Sequence, residues 1–206
     1  DQKFLDLIAQ GTWRPAYSRQ TDLADSIMTA IVLAPFAPAT TRFTELGRLR
    51  VQECERVKAL RTELSKCGAR VEESGDTLTV HPGPLHGAEI ETYNDHRVAM
   101  CFGMLGLRVP GMRLSNPACV RKTFPNFFAK LAELGTVIED ADGKLLSGEE
   151  LLAVAHSCST RRARPGECSG TTRSCAGWGP RRVSCTWPSV PQSMRCGISK
   201  PSVPAS

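Results

Sequence analysis

No stretch of this 206-residue chain carries the roughly 18 consecutive apolar residues of a membrane-spanning helix, so no membrane partner is expected. None of the nine cysteines belongs to a Cys-x-x-Cys pair, and no other metal-ligand spacing is present, so no metal is expected. The opening residues, DQKFLDLIAQ, lack both the apolar centre of a signal peptide and the arginines of a transit peptide. They also lack a starting Met. The expectation is a cytoplasmic chain that begins inside a longer protein, with its thiols free in a reducing compartment. Residues 158–206 contain no Leu, Phe, Tyr, Asp or Asn, and Ser, Arg, Pro, Cys and Gly dominate. So little apolar surface does not offset the entropy of ordering a segment, and 158–206 is predicted to be a disordered basic tail.

That tail accounts for the charge. It holds eight Lys/Arg against one Glu, or +7, which leaves eighteen against twenty, or −2, for residues 1–157 of a chain with formal net charge +5. A nearly neutral globular part gives no case for a nucleic-acid partner. Such a case would rest only on Trp178 and Trp187 stacking on single strands among the tail arginines. Cys54, Cys67, Cys101 and Cys119, outside the tail, read as small buried apolar residues.

Hydrophobic residues make up 41 % of the chain, enough for a core. Apolar positions 4, 5, 7 and 8 read as the end of an amphipathic helix, and 10–21, polar with Gly11 and Pro15, as a loop. Asp22, Asp25 or Ser26 is positioned to cap a helix over 27–33 that ends near Pro35; it is apolar almost all round and therefore buried. A strand over 40–46 follows, then a helix reaching Cys67 with Val57, Leu60 and Leu64 as its buried stripe and Gly68 as its stop. Residues 69–73 and 77–81 alternate around Ser74-Gly75-Asp76 as a hairpin, followed by a connection in which His81 and His86 are expected to be exposed. A short strand (89–93), a helix (95–107), a strand (112–115) and a last helix (124–134) complete the ordered pattern. The order predicts an α/β fold with helices buried against sheets, and the charged helix starts at 50–56 and 95–97 read as two similar halves. The expected organisation is a domain fragment over 1–135, a weakly structured extension over 136–157 and the tail.

The chemistry concentrates in 92–125, TYNDHRVAMCFGMLGLRVPGMRLSNPACVRKTFP. A helix starting near Asp95 presents its first free N–H groups beside Arg97, an anion-binding arrangement, with Asp95 and His96 available for proton transfer. Arg121 and Lys122 return to the same edge only if a strand and a turn intervene. Charged clusters at 22–25, 48–56, 95–97 and 121–122 all fall at helix starts or strand-to-helix turns, where open α/β folds place ligands. The reading is a pocket for a phosphorylated or carboxylated small molecule.

TYNDHRVAM followed by RKTFP resembles the C-terminal signature of the EPSP synthase (3-phosphoshikimate 1-carboxyvinyltransferase) family, among the enolpyruvyl transferases. The resemblance covers about 1–135, roughly the last third of such an enzyme. It implies a domain built of repeated βαβαββ-type units. It further implies transfer of the enolpyruvyl group of phosphoenolpyruvate to the 5-hydroxyl of shikimate-3-phosphate in aromatic amino acid biosynthesis, with no cofactor. The family's P-D-x-x-M-T segment reads Ala24-Asp25-Ser26-Ile27-Met28-Thr29 here, which gives Asp25 a catalytic and shikimate-3-phosphate-binding part. N-W-R-V-K-E-x-x-R matches 48–56, so that Glu53 is an acid/base candidate and Arg56 a clamp for phosphoenolpyruvate. Asp95, His96 and Arg97 match D-H-R, the first two as catalytic candidates and Arg97 as a second clamp. Lys122 matches the lysine that contacts phosphoenolpyruvate. Two positions depart from the pattern, since Gln52 replaces a lysine and Arg48 an asparagine, both on the shikimate-3-phosphate side. Glutamine hydrogen-bonds a hydroxyl but is no acid or base at neutral pH. The resemblance lacks the family's N-terminal lysine motif, its glycine-rich segment and its second domain. It therefore implies a fragment that is weak or inactive unless the missing portion is supplied in trans. A non-catalytic anion-binding remnant and the sister UDP-N-acetylglucosamine enolpyruvyl transferase are the alternatives, and D-H-R with K-T-F-P favours the shikimate enzyme.

Overall fold

Two copies of one chain path, strand–helix–strand–helix–strand–strand, make up the computed structural model, which describes Phe4, residues 13–134 and 137–139, Leu145 and residues 182–186. The first runs β1 (Ala16–Ser18), α1 (Ile27–Leu33), β2 (Thr41–Thr44), α2 (Arg56–Lys66), β3 (Val71–Ser74) and β4 (Thr77–Val80). The second runs β5 (Glu89–Ile90), α3 (His96–Gly106), β6 (Met112–Ser115), α4 (Phe127–Glu133), β7 (Val137–Glu139) and β8 (Arg182–Thr186). Each forms a four-stranded sheet of the same order, β1-β2-β4-β3 and β5-β6-β8-β7. In each the first two strands are parallel and the remaining pairings antiparallel. The chain is therefore α/β and built of repeated βαβαββ units, as expected.

The repeat has a different register from the one the sequence implied. Residues 50–56 precede the second helix of the first unit, whereas 95–97 open the first helix of the second unit. The topological counterpart of Asp95 is thus the Asp25 connection, and that of 48–56 is the Lys122 connection.

Local chemistry accounts for most elements. In α1, Ile27, Met28, Ala30, Ile31 and Val32 are all buried, as its all-round apolar surface requires. Of the three predicted caps Ser26 occupies the position, though without a side-chain bond; Asp22 accepts from the Ser18 N–H, and Asp25 faces arginines. Helix α2 buries Val57, Leu60 and Leu64 and ends at Gly68, whose φ of +90° suits a residue without Cβ. Helices α1, α2 and α3 pack on one another, and a single apolar core joins them to both sheets.

Two expectations fail locally. The stretch read as a loop over 10–21 contains β1, which is three residues long and too short to show alternation. It is held by Tyr17, in register with Phe43, the rings stacked at 5.9 Å. Arg182–Thr186, inside the segment expected to be disordered, form β8 between β6 and β7. The rest of the tail, most of the extension over 136–157 and the helix end near residues 5–9 lie outside the described residues. His86 is exposed as expected, while His81 is half-buried and faces Thr40 Oγ1 at 3.0 Å. Among the described residues no helix is long and apolar enough to cross a membrane.

Candidate active site

Four connections leave the C-terminal ends of the parallel strands, and they or the first turn of the helix that follows carry every candidate site residue. The β1–α1 connection brings Asp25, and the β2–α2 connection brings Arg48, Gln52 and Glu53, with Arg56 the first residue of α2. The β5–α3 connection ends at Asp95, with His96 and Arg97 opening α3. The β6–α4 connection contains a 3-10 turn, Pro117–Lys122, that ends on Lys122. Topology converts four distant sequence clusters into one edge, the place where parallel strands expose their connections to ligands.

Asp95 is the fixed point. It is wholly buried and caps α3, its Oδ1 accepting from the N–H groups of Arg97 at 2.8 Å and Val98 at 3.4 Å. The Arg56 guanidinium grips it from the other side, Nε to Oδ2 at 2.7 Å and Nη2 to Oδ1 at 3.2 Å. Such a bidentate, charge-assisted pair is rigid as well as strong. Burial works against the charge of Asp95, but the Arg56 bonds and the Arg97 N–H reverse it and hold the carboxyl below its ordinary range. The Cys54 thiol lies 3.5 Å from Asp95 Oδ2, and burial with this carboxylate pushes it up to about 12.

Around this pair sit the other candidates. Glu53 is a bridge, with Oε2 3.0 Å from His96 Nδ1 and Oε1 accepting from Lys122 Nζ. Burial raises the Glu53 carboxyl, and the Lys122 bond and His96 more than compensate, leaving it below the usual range. An ionised carboxylate only accepts, so Nδ1 of His96 carries the proton of this bond. Asp25 lies between Arg19 (2.7 Å) and Arg97 (3.3 Å). Its burial is outweighed by the Arg19 bond and the Arg97 charge, so it too is held ionised.

Not every candidate opens onto the site. Arg56, expected as an anion clamp, has a side chain only 3 % exposed and is engaged by Asp95 and by the Gln52 side-chain oxygen. Arg97 and Lys122, 39 % and 62 % exposed, are the open cations. Gln52 accepts from Arg56, which the lysine of the family pattern cannot do. Arg48 lines a cleft of about 660 Å³ together with Thr44, Glu45, Asp76 and Arg19, the last of which bonds Asp25.

Glu53, Asp95 and His96 also place one ligating atom each within 4.8 Å of one another. Those atoms are already bonded to Lys122, Arg56 and each other, so the set is neutralised by side-chain cations. A divalent ion there would have to displace them.

Two features escaped sequence reasoning. Arg19, which holds Asp25, belongs to no motif. All five non-glycine residues with positive φ among the described residues lie in the four connections: Ala24, Glu45, Tyr93, Asn94 and Asn116. Such conformations cost of the order of 1–2 kcal/mol each and persist where the surroundings impose them, commonly at functional sites. Only the two asparagines carry a sequence signal for them.

Comparison with known proteins places this architecture. The profile of the family described as EPSP synthase (3-phosphoshikimate 1-carboxyvinyltransferase) matches residues 11–131, more than half of the chain. The chain belongs to the EPSP synthase family. It is similar to the 3-phosphoshikimate 1-carboxyvinyltransferase of Nostoc punctiforme, 42 % identical over 113 residues, covering 55 % of this chain and 26 % of that protein. It is also similar to the enzyme of the same name from Rhizobium etli, 41 % identical over 149 residues, covering 69 % of this chain and 35 % of that one. Among solved structures, EPSP synthase from Acinetobacter baumannii matches with a TM-score of 0.49 and 28 % identity, covering 52 % of this chain and 26 % of that one. The chain thus spans about a quarter to a third of the length of the curated relatives it matches.

Proposed function

We propose that this chain carries one side of the site of a cytoplasmic 3-phosphoshikimate 1-carboxyvinyltransferase. The reaction moves the enolpyruvyl group of phosphoenolpyruvate to the 5-hydroxyl of shikimate-3-phosphate and releases phosphate. The observation that carries the reading is the convergence of Asp25–Arg97, Glu53–His96, Glu53–Lys122 and Arg56–Asp95 at one edge, in a chain of this family.

The residue types suit the chemistry. Protonating the methylene of phosphoenolpyruvate while deprotonating a hydroxyl takes one acid and one base beside a multiply charged anion. Arg97 and Lys122 hold the anion, and Arg56 joins them if it exchanges Gln52 for the ligand. Asp25, Glu53 and Asp95 are all held ionised and act as acceptors, with Asp25 nearest the part of base for the hydroxyl. The proton delivered to the methylene then comes from Lys122, bonded to Glu53, or from His96 when its Nε2 is protonated as well. Removing it again as phosphate leaves restores the double bond. Gln52 and Arg48 lie on the shikimate-3-phosphate side. The remainder of the enzyme, supplied in trans, completes the cleft.

Gln52 favours a second reading, a remnant that binds the anion without turnover, because it removes a cation and ties back Arg56. The two separate in one assay, phosphate release from phosphoenolpyruvate and shikimate-3-phosphate with and without an N-terminal fragment of a relative. Release only on complementation supports the transferase. Phosphoenolpyruvate binding with no release in either case supports the remnant, and neither binding nor release overturns both.

A further inference from the structure

Outside the anion cluster, one buried carboxylate gathers an unusual set of partners. Glu63, in the body of α2, is wholly buried. Its Oε1 accepts from the Tyr93 hydroxyl at 2.7 Å, its Oε2 from the Glu91 N–H at 3.1 Å, and Lys66 Nζ lies within 2.9 Å of both oxygens. Lys66 balances the buried charge. The other two bonds reach across to the β5–α3 connection, where Glu91 Oε1 in turn accepts from the Tyr93 N–H at 3.0 Å.

Tyr93 and Asn94 have φ of +53° and +54°, the two consecutive positive-φ residues among the described residues, and they immediately precede Asp95. Asn94 tolerates this conformation, but an aromatic residue such as Tyr93 does not settle into it unaided; something must impose it. The bonds of Glu63 to the Tyr93 hydroxyl and the Glu91 N–H tie this turn to α2. From the side, Asn94 Oδ1 accepts from Asn116 Nδ2 at 3.0 Å, and Asn116, itself at φ +43°, starts the turn that carries Lys122. A continuous chain of bonds therefore links α2 to both connections that bear the open cations Arg97 and Lys122.

We infer that Glu63 is a positioning residue. Through Tyr93 it locks the left-handed turn that aims the Asp95 cap and Arg97, and through Asn94–Asn116 it sets their spacing from Lys122. Glu63 is wholly buried and acts through Tyr93. Its consequence for phosphoenolpyruvate rests on the function proposed above, but its effect on the turn does not.

The test uses the full 206-residue chain carrying Tyr93→Phe, which keeps the ring and removes one hydroxyl, with Glu63→Gln as the second variant. Amide exchange of Arg97 and Val98, the N–H groups bonded to Asp95, is expected to accelerate about tenfold or more relative to Phe102 in mid-helix, since the lost bond is to a charged group. In the complemented enzyme, KM for phosphoenolpyruvate is expected to rise several-fold with kcat little changed, because binding rather than the reacting groups is disturbed. A general loss of stability moves exchange at Phe102 as much as at the cap, and that result overturns the inference. So does an unchanged cap, or a loosened cap with KM unaltered in an active enzyme. If the complemented wild type releases no phosphate, the functional reading fails by itself, while cap exchange still decides whether the latch exists.

Discussion

Replacing Asp95 by alanine is the sharpest perturbation this structure offers. Two penalties combine. The Arg56 guanidinium, 3 % exposed, loses its carboxylate and becomes a buried unpaired charge. Breaking such a pair from one side costs about 3–5 kcal/mol. Helix α3 loses a cap that satisfies two N–H groups, worth about 1 kcal/mol. The terms share one oxygen and overlap, so the expected loss is about 4–5 kcal/mol, a large part of the stability of any domain. Equilibrium urea unfolding followed by circular dichroism reads it directly. With an m-value of about 1.5 kcal/mol/M, the midpoint falls by about 3 M at unchanged m. Asp95→Asn keeps the Oδ1 acceptor and loses only the charge, so it falls between wild type and Asp95→Ala. The double variant Arg56→Met, Asp95→Leu removes both charges and is expected to be more stable than Asp95→Ala alone. A loss below about 1 kcal/mol for Asp95→Ala, or a double variant worse than the single, refutes the claim that this pair is the buried anchor of the site.

Acid should weaken the fold through the same groups. Asp25, Glu53 and Asp95 have carboxyls below their ordinary range when folded, so their contribution is present above roughly pH 4–4.5 and is lost as pH falls through the depressed folded values. Urea midpoints measured between pH 3 and 7 should rise with pH over the lower part of that range, and Asp95→Asn should flatten the rise. Cys54, pushed up to about 12, and Cys67, Cys101 and Cys119, each pushed up to about 11, should react with thiol reagents at neutral pH about a hundredfold or more slower than a free cysteine. Labelling of native protein mapped by mass spectrometry checks this. Gly87→Ala places a Cβ 2.4 Å from the Gly111 backbone, where neither chain can yield, and should cost about 1–3 kcal/mol. Gly83→Ala meets nothing within 4 Å and should be neutral or slightly stabilising in the same urea titration. In the complemented assay, Gln52→Lys removes the acceptor that holds Arg56 back and adds a cation, so turnover should rise; a fall would show that Gln52 is adapted to this site.

Much of this protein could be read from residue order, because its signals are local. The apolar surface of α1, the stripe of Val57, Leu60 and Leu64, the glycine at Gly68 and the strand Met112–Ser115 each depend on neighbours a few positions away. The same holds for the site residues, whose types recur at strand-to-helix turns whatever the partner. What tertiary structure decided is everything that depends on which turns meet. Arg56 and Asp95 are 39 positions apart, and only the packing of two repeated units turned an expected anion clamp into the buried partner of a helix cap. Arg48, four residues from Gln52, lines a cleft with Arg19, Glu45 and Asp76. Strand β1 exists because Phe43 waits beside Tyr17, and β8 because β6 and β7 present free edges, neither of which a short strand records in its own composition. The positive φ angles of Ala24, Glu45 and Tyr93 left no mark in those residue types, since the conformation is imposed by bonds from elsewhere, as Glu63 imposes it on Tyr93.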